Sequence, residues 1–310
     1  MGVKLLSKLL KTQCYEESKQ THLSCLYGKK ICVDVSIYLY RYKSQNTLIE
    51  SLYLMCSLFK YYNITPIFIF DGKPPDCKKE ELAKRKKDRE ESEKKLIELK
   101  EKFGDNITKE QAIELNNLKR ATTKINWEDI ELVKRLFDSY GIKYITANGE
   151  ADVLCASLVL KKKVYAVLTE DMDLFAYTCP VVLRYFSLAN HTCILYDLSK
   201  ILKKLDINKE NFRILCVLSG NDYYSNNNNI FYYLKLYNRF KKLKLKSNFL
   251  VWLTSQNFVN KEELDEINTR INMYLNINGE LSNYSYIPIR FGNVDKVDLY
   301  KILENERFVF

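Results

Sequence analysis

Short runs of apolar, β-favouring residues punctuate the first two thirds of the chain. They are KICVDV (30–35), PIFIF (66–70), KYIT (143–146), VYAVLT (164–169), VVLRYF (181–186) and TCILYD (192–197). Helical periodicity fills much of the space between and after them, at 46–62, 126–140, 150–161 and 198–218. Strands that alternate with helices predict an α/β fold with a mostly parallel sheet covered on both faces. In such sheets the chemistry lies beyond the carboxyl ends of the strands.

Residues 78–124 break this pattern. They are dense in Lys, Glu and Arg and poor in large apolar residues. The stretch predicts two helices split near GDNIT (104–108), with Gly104 ending the first and Thr108 capping the second. Helices polar all round do not belong in a core and must project into solvent or touch a charged ligand. Asn226 to Asn229 predict a loop, and 230–310 is mainly helical in pattern. This divides the chain into a first part (1–77), a helical insertion (78–124), a second part of the same α/β unit (125–225) and a helical C-terminal region (226–310).

Lys and Arg outnumber Asp and Glu by 49 to 39, a net charge of +10 that favours a polyanionic partner, nucleic acid first. No apolar run approaches the roughly 18 residues of a membrane span, so no membrane partner is expected. Nine cysteines without a CxxC pair, and only two histidines, argue against zinc. Cys32, Cys155 and Cys216 lie in apolar runs as small core residues, and free thiols point to a reducing, intracellular setting.

Acids recur at the strand ends. KICVDV carries Asp34, PIFIFDG carries Asp71, VYAVLTEDMD carries Asp171 and Asp173, NGEAD carries Glu150 and Asp152, and LSGND carries Asp222. A parallel sheet would gather these seven carboxylates at one edge, where each raises the pKa of the others unless cations compensate. An all-oxygen set suits Mg²⁺, with Mn²⁺ able to substitute. Two such ions are the apparatus for attack of water on a phosphodiester. Asp34 alone, before Ser36, reads as a helix cap or turn former. Glu170 is expected to point away from its acidic neighbours or to cap the following turn.

In order and rough spacing, MGV, VDVSIYLY, PIFIFDGKPPDCKKEELAKRK, GEADVLCASLVLKKKVYAVLTEDMDLF and LSGNDY resemble the flap endonuclease / XPG family of structure-specific 5′-nucleases over about residues 1–225. The resemblance implies a PIN-like α/β fold, two Mg²⁺ ions and cutting of DNA at a 5′ flap or other single-strand/duplex junction, in replication, repair or recombination. It puts Asp34, Asp71, Glu150 and Asp152 near one ion and Asp171, Asp173 and Asp222 near the other. It makes Lys78 and Arg85 the cations that steer the scissile phosphate. Tyr40 becomes a surface for base stacking, and Gly2 part of an N-terminus tucked beside the active site. Residues 78–124 correspond to the arch that the single-stranded end passes.

The chain departs from the family in four places. Asp152 stands for a Glu, and Leu5 for the second N-terminal glycine. The Gly-Ile-Gly turn that grips duplex reads Asn229-Ile230-Phe231, and Phe does not suit a left-handed turn position. The duplex grip and the exact substrate are therefore open. No sliding-clamp motif follows ENERFVF. The expected protein is a monomer at a site of DNA replication, such as the nucleus. A metal-dependent endoribonuclease acting on RNA, or a decayed nucleic-acid-binding protein on the same fold, are the alternatives.

Overall fold

The computed structural model describes residues 2–75, 78–103, 108–220, 228–277, 288–306 and 308. The sheet contains β1 (Ser18–His22), β2 (Lys30–Asp34), β3 (Thr65–Phe70), β4 (Lys143–Thr146), β5 (Ala166–Leu168), β6 (Val181–Ser187) and β7 (Thr192–Asp197). Their order is β1-β7-β6-β5-β2-β3-β4. The four central pairings are parallel, whereas β6–β7 and β1–β7 are antiparallel. All six expected strands are present. The seventh, β1, has the sequence SKQTH and offers no apolar run. It is an edge strand that attaches to β7 through its backbone.

Before the sheet's centre the chain forms α1 (Leu6–Gln13), and between β2 and β3 it forms α2 (Ser36–Ser44) and α3 (Leu48–Tyr61). Then come α4 (Lys79–Phe103), α5 (Lys109–Thr122) and α6 (Trp127–Tyr140). The helix α7 (Ala151–Leu160) and the single turn α8 (Asp173–Ala176) flank β5. After β7 follow α9 (Leu198–Leu205), α10 (Lys209–Leu218), α11 (Ile230–Lys242), α12 (Phe249–Ser255), α13 (Lys261–Leu275) and α14 (Lys296–Asn305).

Alternation along the strands divides the core. Cys32, Ile67, Ile69, Val167 and Val182 face α1, α7, α10 and α11. Ile31, Val33, Phe68, Phe70 and Leu168 face α2, α3, α6 and α14, with Phe68 stacked on Phe137 at 4.3 Å. Apolar side chains on both faces are what a parallel sheet requires. Cys32, Cys155 and Cys216 are fully buried within it.

The apolar run 198–218 is two helices, not the single one its periodicity predicts. Asp206 takes a left-handed φ of 48° and ends α9, and the Asn208 side chain accepts from Asn211 N at 2.8 Å to start α10. The polar stretch is a helical hairpin of α4 against α5. Thr108 caps α5 reciprocally with Gln111. Gly104 lies outside the described residues. Leu115 is the only α5 residue that becomes buried, and Lys124 Nζ bridges back to Glu93 at 2.6 Å.

The Asn229-Ile230-Phe231 substitution is resolved differently from the left-handed turn that the family comparison suggested. Asn229 is extended (φ −123°) and caps α11 by accepting from Phe231 N at 3.0 Å. Phe231 lies in the first helical turn and packs on the core, so no positive φ is asked of it.

Leu5, in the place of the family's second glycine, keeps a glycine-like backbone at φ 60°, ψ 7°. Its side chain is 43% exposed, so little packing compensates. Left-handed backbone costs an ordinary residue roughly 1–2 kcal/mol, and a β-branched one more. Leu5→Val is therefore expected to be less stable than Leu5→Gly by at least about 1 kcal/mol in urea unfolding. Equal midpoints would show that this conformation is not maintained.

Candidate metal centre

The carboxyl ends of β2, β3 and β5 lie side by side at the middle of the sheet, and the acids sit just beyond them. Asp34 ends β2, Asp71 follows β3, and Asp171 and Asp173 follow β5. Glu150 and Asp152 enter with the start of α7. Gly72 sets that approach. Its N–H donates to Gly149 O at 2.7 Å, and any Cβ would overlap the backbone carbonyls of Ala147 and Asn148. The FDG turn can therefore lie flat against the NGE segment only with glycine at 72.

Local hydrogen bonds fix the carboxylates. Asp71 accepts from Ser36 Oγ at 2.5 Å and from Ala151 N at 2.9 Å. Asp34 accepts from Ser36 N at 3.2 Å, a turn contact just ahead of α2 whose N-cap is Val35, and from Thr169 Oγ1 at 2.9 Å. Asp171 accepts from Asp173 N at 3.0 Å, so the TEDMD turn holds its two acids together. Gly2, at φ 79°, abuts this turn, and a side chain there would overlap Asp171 and Asp173.

Burial and mutual repulsion act on these groups together. Burial, then Asp71 and Asp171, push Asp34 up from 3.8 to about 7 against the bonds from Thr169 and Ser36. Burial, then Asp171, Asp34, Asp173 and Asp71, push Asp152 well above the carboxylate range. Like charges this mutually repulsive and this deeply set ask for positive charge. Buried Lys78 supplies part of it through an ion pair with Glu150. An all-oxygen donor set suits a hard divalent cation such as Mg²⁺ for the remainder. Among the described residues no three acids are already drawn into a cage. The bonds from Ser36, Ala151, Thr169 and Lys78 hold them in other geometries.

Six of the seven acids thus meet, and Asp222 lies outside the described residues. Lys78 joins them. Arg85 is bonded to Glu81 of its own helix at 2.7 Å. Tyr40 stands 46% exposed on α2, the helix that starts beside Asp34. Glu170 turns away, as expected. Its carboxylate accepts from Tyr185 N at 2.7 Å and lies 3.5 Å from both Arg184 and Arg41. Its positive partners come from β6 and α2, distant from it in sequence.

Sequence reasoning missed Tyr274. From α13, about a hundred positions downstream, its hydroxyl donates to Asp173 Oδ2 at 3.2 Å. Its ring meets Tyr177 edge-on at 4.8 Å. Burial and the neighbouring acids raise both phenols far above their ordinary pKa, so they stay protonated. A Tyr at an apolar helical position carries no signal of such a role.

The chain matches the XPG N-terminal domain over residues 1–92 and the XPG I-region over residues 141–222, together more than half of its length. It is 33% identical to flap endonuclease 1 of Zea mays over 242 residues, which are 72% of this chain and 62% of that protein. The chain therefore spans about three fifths of the length of the curated relatives it matches. The catalytic core of Rad2 in complex with DNA substrate has the same fold (TM-score 0.69, 19% identity, 98% of this chain and 95% of that one). So does the Holliday junction-resolving enzyme GEN1 in complex with product DNA and Mg²⁺ (TM-score 0.56, 17% identity, 95% and 72%).

Asp34 binds a proton more readily in the folded than in the unfolded chain between pH 3.8 and about 7. Its contribution to stability is therefore greatest below that window and is lost as pH rises through about 7. Without divalent cations, the thermal midpoint is expected to fall by roughly 5 °C or more from about pH 5 to about pH 8. Millimolar Mg²⁺ should restore much of the loss at the higher pH and little at the lower, and Asp34→Asn should flatten the dependence. An equal Mg²⁺ effect at both pH values would separate these acids from cation binding.

Proposed function

Because the chain belongs to the XPG family, we propose that it is a divalent-metal-dependent nuclease that hydrolyses DNA where a single 5′ strand leaves a duplex. The observation that carries this reading is the convergence of mutually repelling carboxylates on one sheet edge, in the family's order, with a buried lysine among them. The flap endonuclease relatives, and the DNA in the Rad2 and GEN1 complexes, support the substrate class. The net charge of +10 suits a polyanion.

In this reading Asp34, Asp71, Glu150 and Asp152 hold one Mg²⁺, and Asp171 and Asp173, with Asp222, hold a second. When bound, such ions supply an activated water and neutralise charge on the leaving oxygen. The protein's own groups prepare the site. Thr169 and Ser36 aim Asp34 and Asp71. Lys78, buried beside Glu150, would set a fixed positive charge by the scissile phosphate, where it would stabilise the developing negative one. Arg85, on α4 seven residues beyond Lys78, reaches the same strand by exchanging Glu81 for phosphate. Tyr40 offers its exposed ring to a base beside the cut. The α4–α5 hairpin covers the single strand, and DNA replication or repair is the setting.

The test is incubation with labelled 5′-flap DNA and with matched single-stranded RNA, in Mg²⁺ or EDTA. Mg²⁺-dependent cutting at the junction is expected. Asp171→Ala should abolish it, and Lys78→Ala should lower kcat by roughly 10²-fold. RNA cutting without flap cutting would transfer the site to ribonuclease chemistry, and flap binding without cutting to a binding role.

A further inference from the structure

The helix α13 is polar along most of its length, and only Ile267 and Tyr274 of it are buried. They lie about two turns apart and therefore share its inward face. Both join the apolar layer that α7 and α10 also build, and the Tyr274 ring meets Tyr177 edge-on at 4.8 Å. A phenylalanine would fill that place as well. What packing does not account for is the hydroxyl, which donates to Asp173 Oδ2 at 3.2 Å.

Asp173 is held in two ways. Its backbone N–H donates to Asp171 at 3.0 Å, which fixes the turn but leaves the side chain free to rotate. Tyr274 then holds one carboxylate oxygen from an element a hundred positions away. Asp173 is 3% exposed and Tyr274 2%, so water does not readily take the place of the phenol. A hydrogen bond to a charged group in such a place sets its direction strongly.

The kind of donor matters as much as its position. Glu170 is closed by Arg184 and Arg41, and Glu150 is paired with Lys78. Those partners are cations and neutralise the carboxylate they hold. A phenol is a neutral donor, so it orients Asp173 and leaves its negative charge in place. That is the contact a group needs if it is to be aimed at a cation and not satisfied beforehand.

We propose that Tyr274 is a positioning residue of the metal centre, its hydroxyl fixing the Asp173 carboxylate in the orientation in which it takes a divalent cation. A helix outside the segments that match the family then completes the site. This inference rests on the nuclease reading above. Ser157 of α7 provides the comparison, since it donates to the carbonyl of Ile277 and so ties down the same segment without touching an acid.

The experiment compares the full chain with Tyr274→Phe and Ser157→Ala. Tyr274→Phe keeps the ring that packs on Tyr177, so the fold is expected to hold. Binding of Mn²⁺ without DNA is followed by the electron paramagnetic resonance of the free ion. Single-turnover cutting of 5′-flap DNA is measured across Mg²⁺ concentrations. Tyr274→Phe is expected to weaken the binding of one Mn²⁺ and to raise the Mg²⁺ concentration for half-maximal rate, each by roughly tenfold or more. High Mg²⁺ should restore most of the rate, and affinity for flap DNA in EDTA should not change. Ser157→Ala should lower the thermal midpoint and leave both metal readouts as in wild type. Metal readouts unchanged in Tyr274→Phe, or moved as far by Ser157→Ala, would overturn the positioning role, and with wild type still cutting the flap they would leave the nuclease reading standing. If wild type cuts nothing, a Mn²⁺ affinity lowered in Tyr274→Phe alone would uphold the positioning role and reject the nuclease reading. A wild type that neither binds Mn²⁺ nor cuts would reject both.

Discussion

Carboxylates repel one another most where water is excluded, and this fold brings several of them to the one edge where its central strands end. Everything around that edge can be understood as a way of living with the repulsion. Ser36, Thr169 and the Ala151 N–H donate to Asp34 and Asp71, and Lys78 pairs with Glu150. These contacts do not return Asp34 or Asp152 to an ordinary carboxylate range, because burial and their like-charged neighbours hold both up. The cost is tolerable because the two apolar layers of the sheet are built independently of it, on strand faces that point away from the acids.

Glu170 shows the other solution to the same problem. It sits between Thr169 and Asp171, yet its side chain turns to the opposite side and meets Arg184 and Arg41. Neighbouring residues at the end of one strand point in opposite directions, so adjacent acids can be neutralised by different means. One set stays crowded together at the sheet edge and the other is closed by guanidinium. Glycine marks where backbone must come close for this to work. Gly72 lets the turn after β3 lie against the start of α7, and Gly2 lets the N-terminus lie against the TEDMD turn. Leu5 takes a left-handed backbone that local preference disfavours, so the path of the N-terminus is set by the residues around it.

The C-terminal helices lie outside the segments that match the family, but they are not appendages. Through Tyr274 and the carbonyl of Ile277, α13 reaches both acid-bearing elements, α8 and α7. On the opposite face of the sheet α14 is fastened to α6 by an Arg135–Asp298 pair, to which Ser139 also donates. The acid edge is thus held from the far end of the chain as well as from its strands.

Much of this was legible without coordinates. Continuous apolar runs named six strands because a strand buried on both faces has no other composition available. The acids could be named because each ends such a run, and Thr108 because a capping box has its own signature. What could not be read is of another kind. β1 is held by backbone bonds that its polar residues do not advertise, and a left-handed Asp206 divides a run whose periodicity is unbroken. Tyr274 and Tyr177 look like ordinary core aromatics until α13 is set against the acids. The arginines that answer Glu170 belong to another strand and to α2. Sequence alone determined which residues are buried and where the charges end, since burial and periodicity are properties of neighbours in the chain. Only the tertiary structure decided which distant group meets each charge, because that depends on how separately folded elements pack.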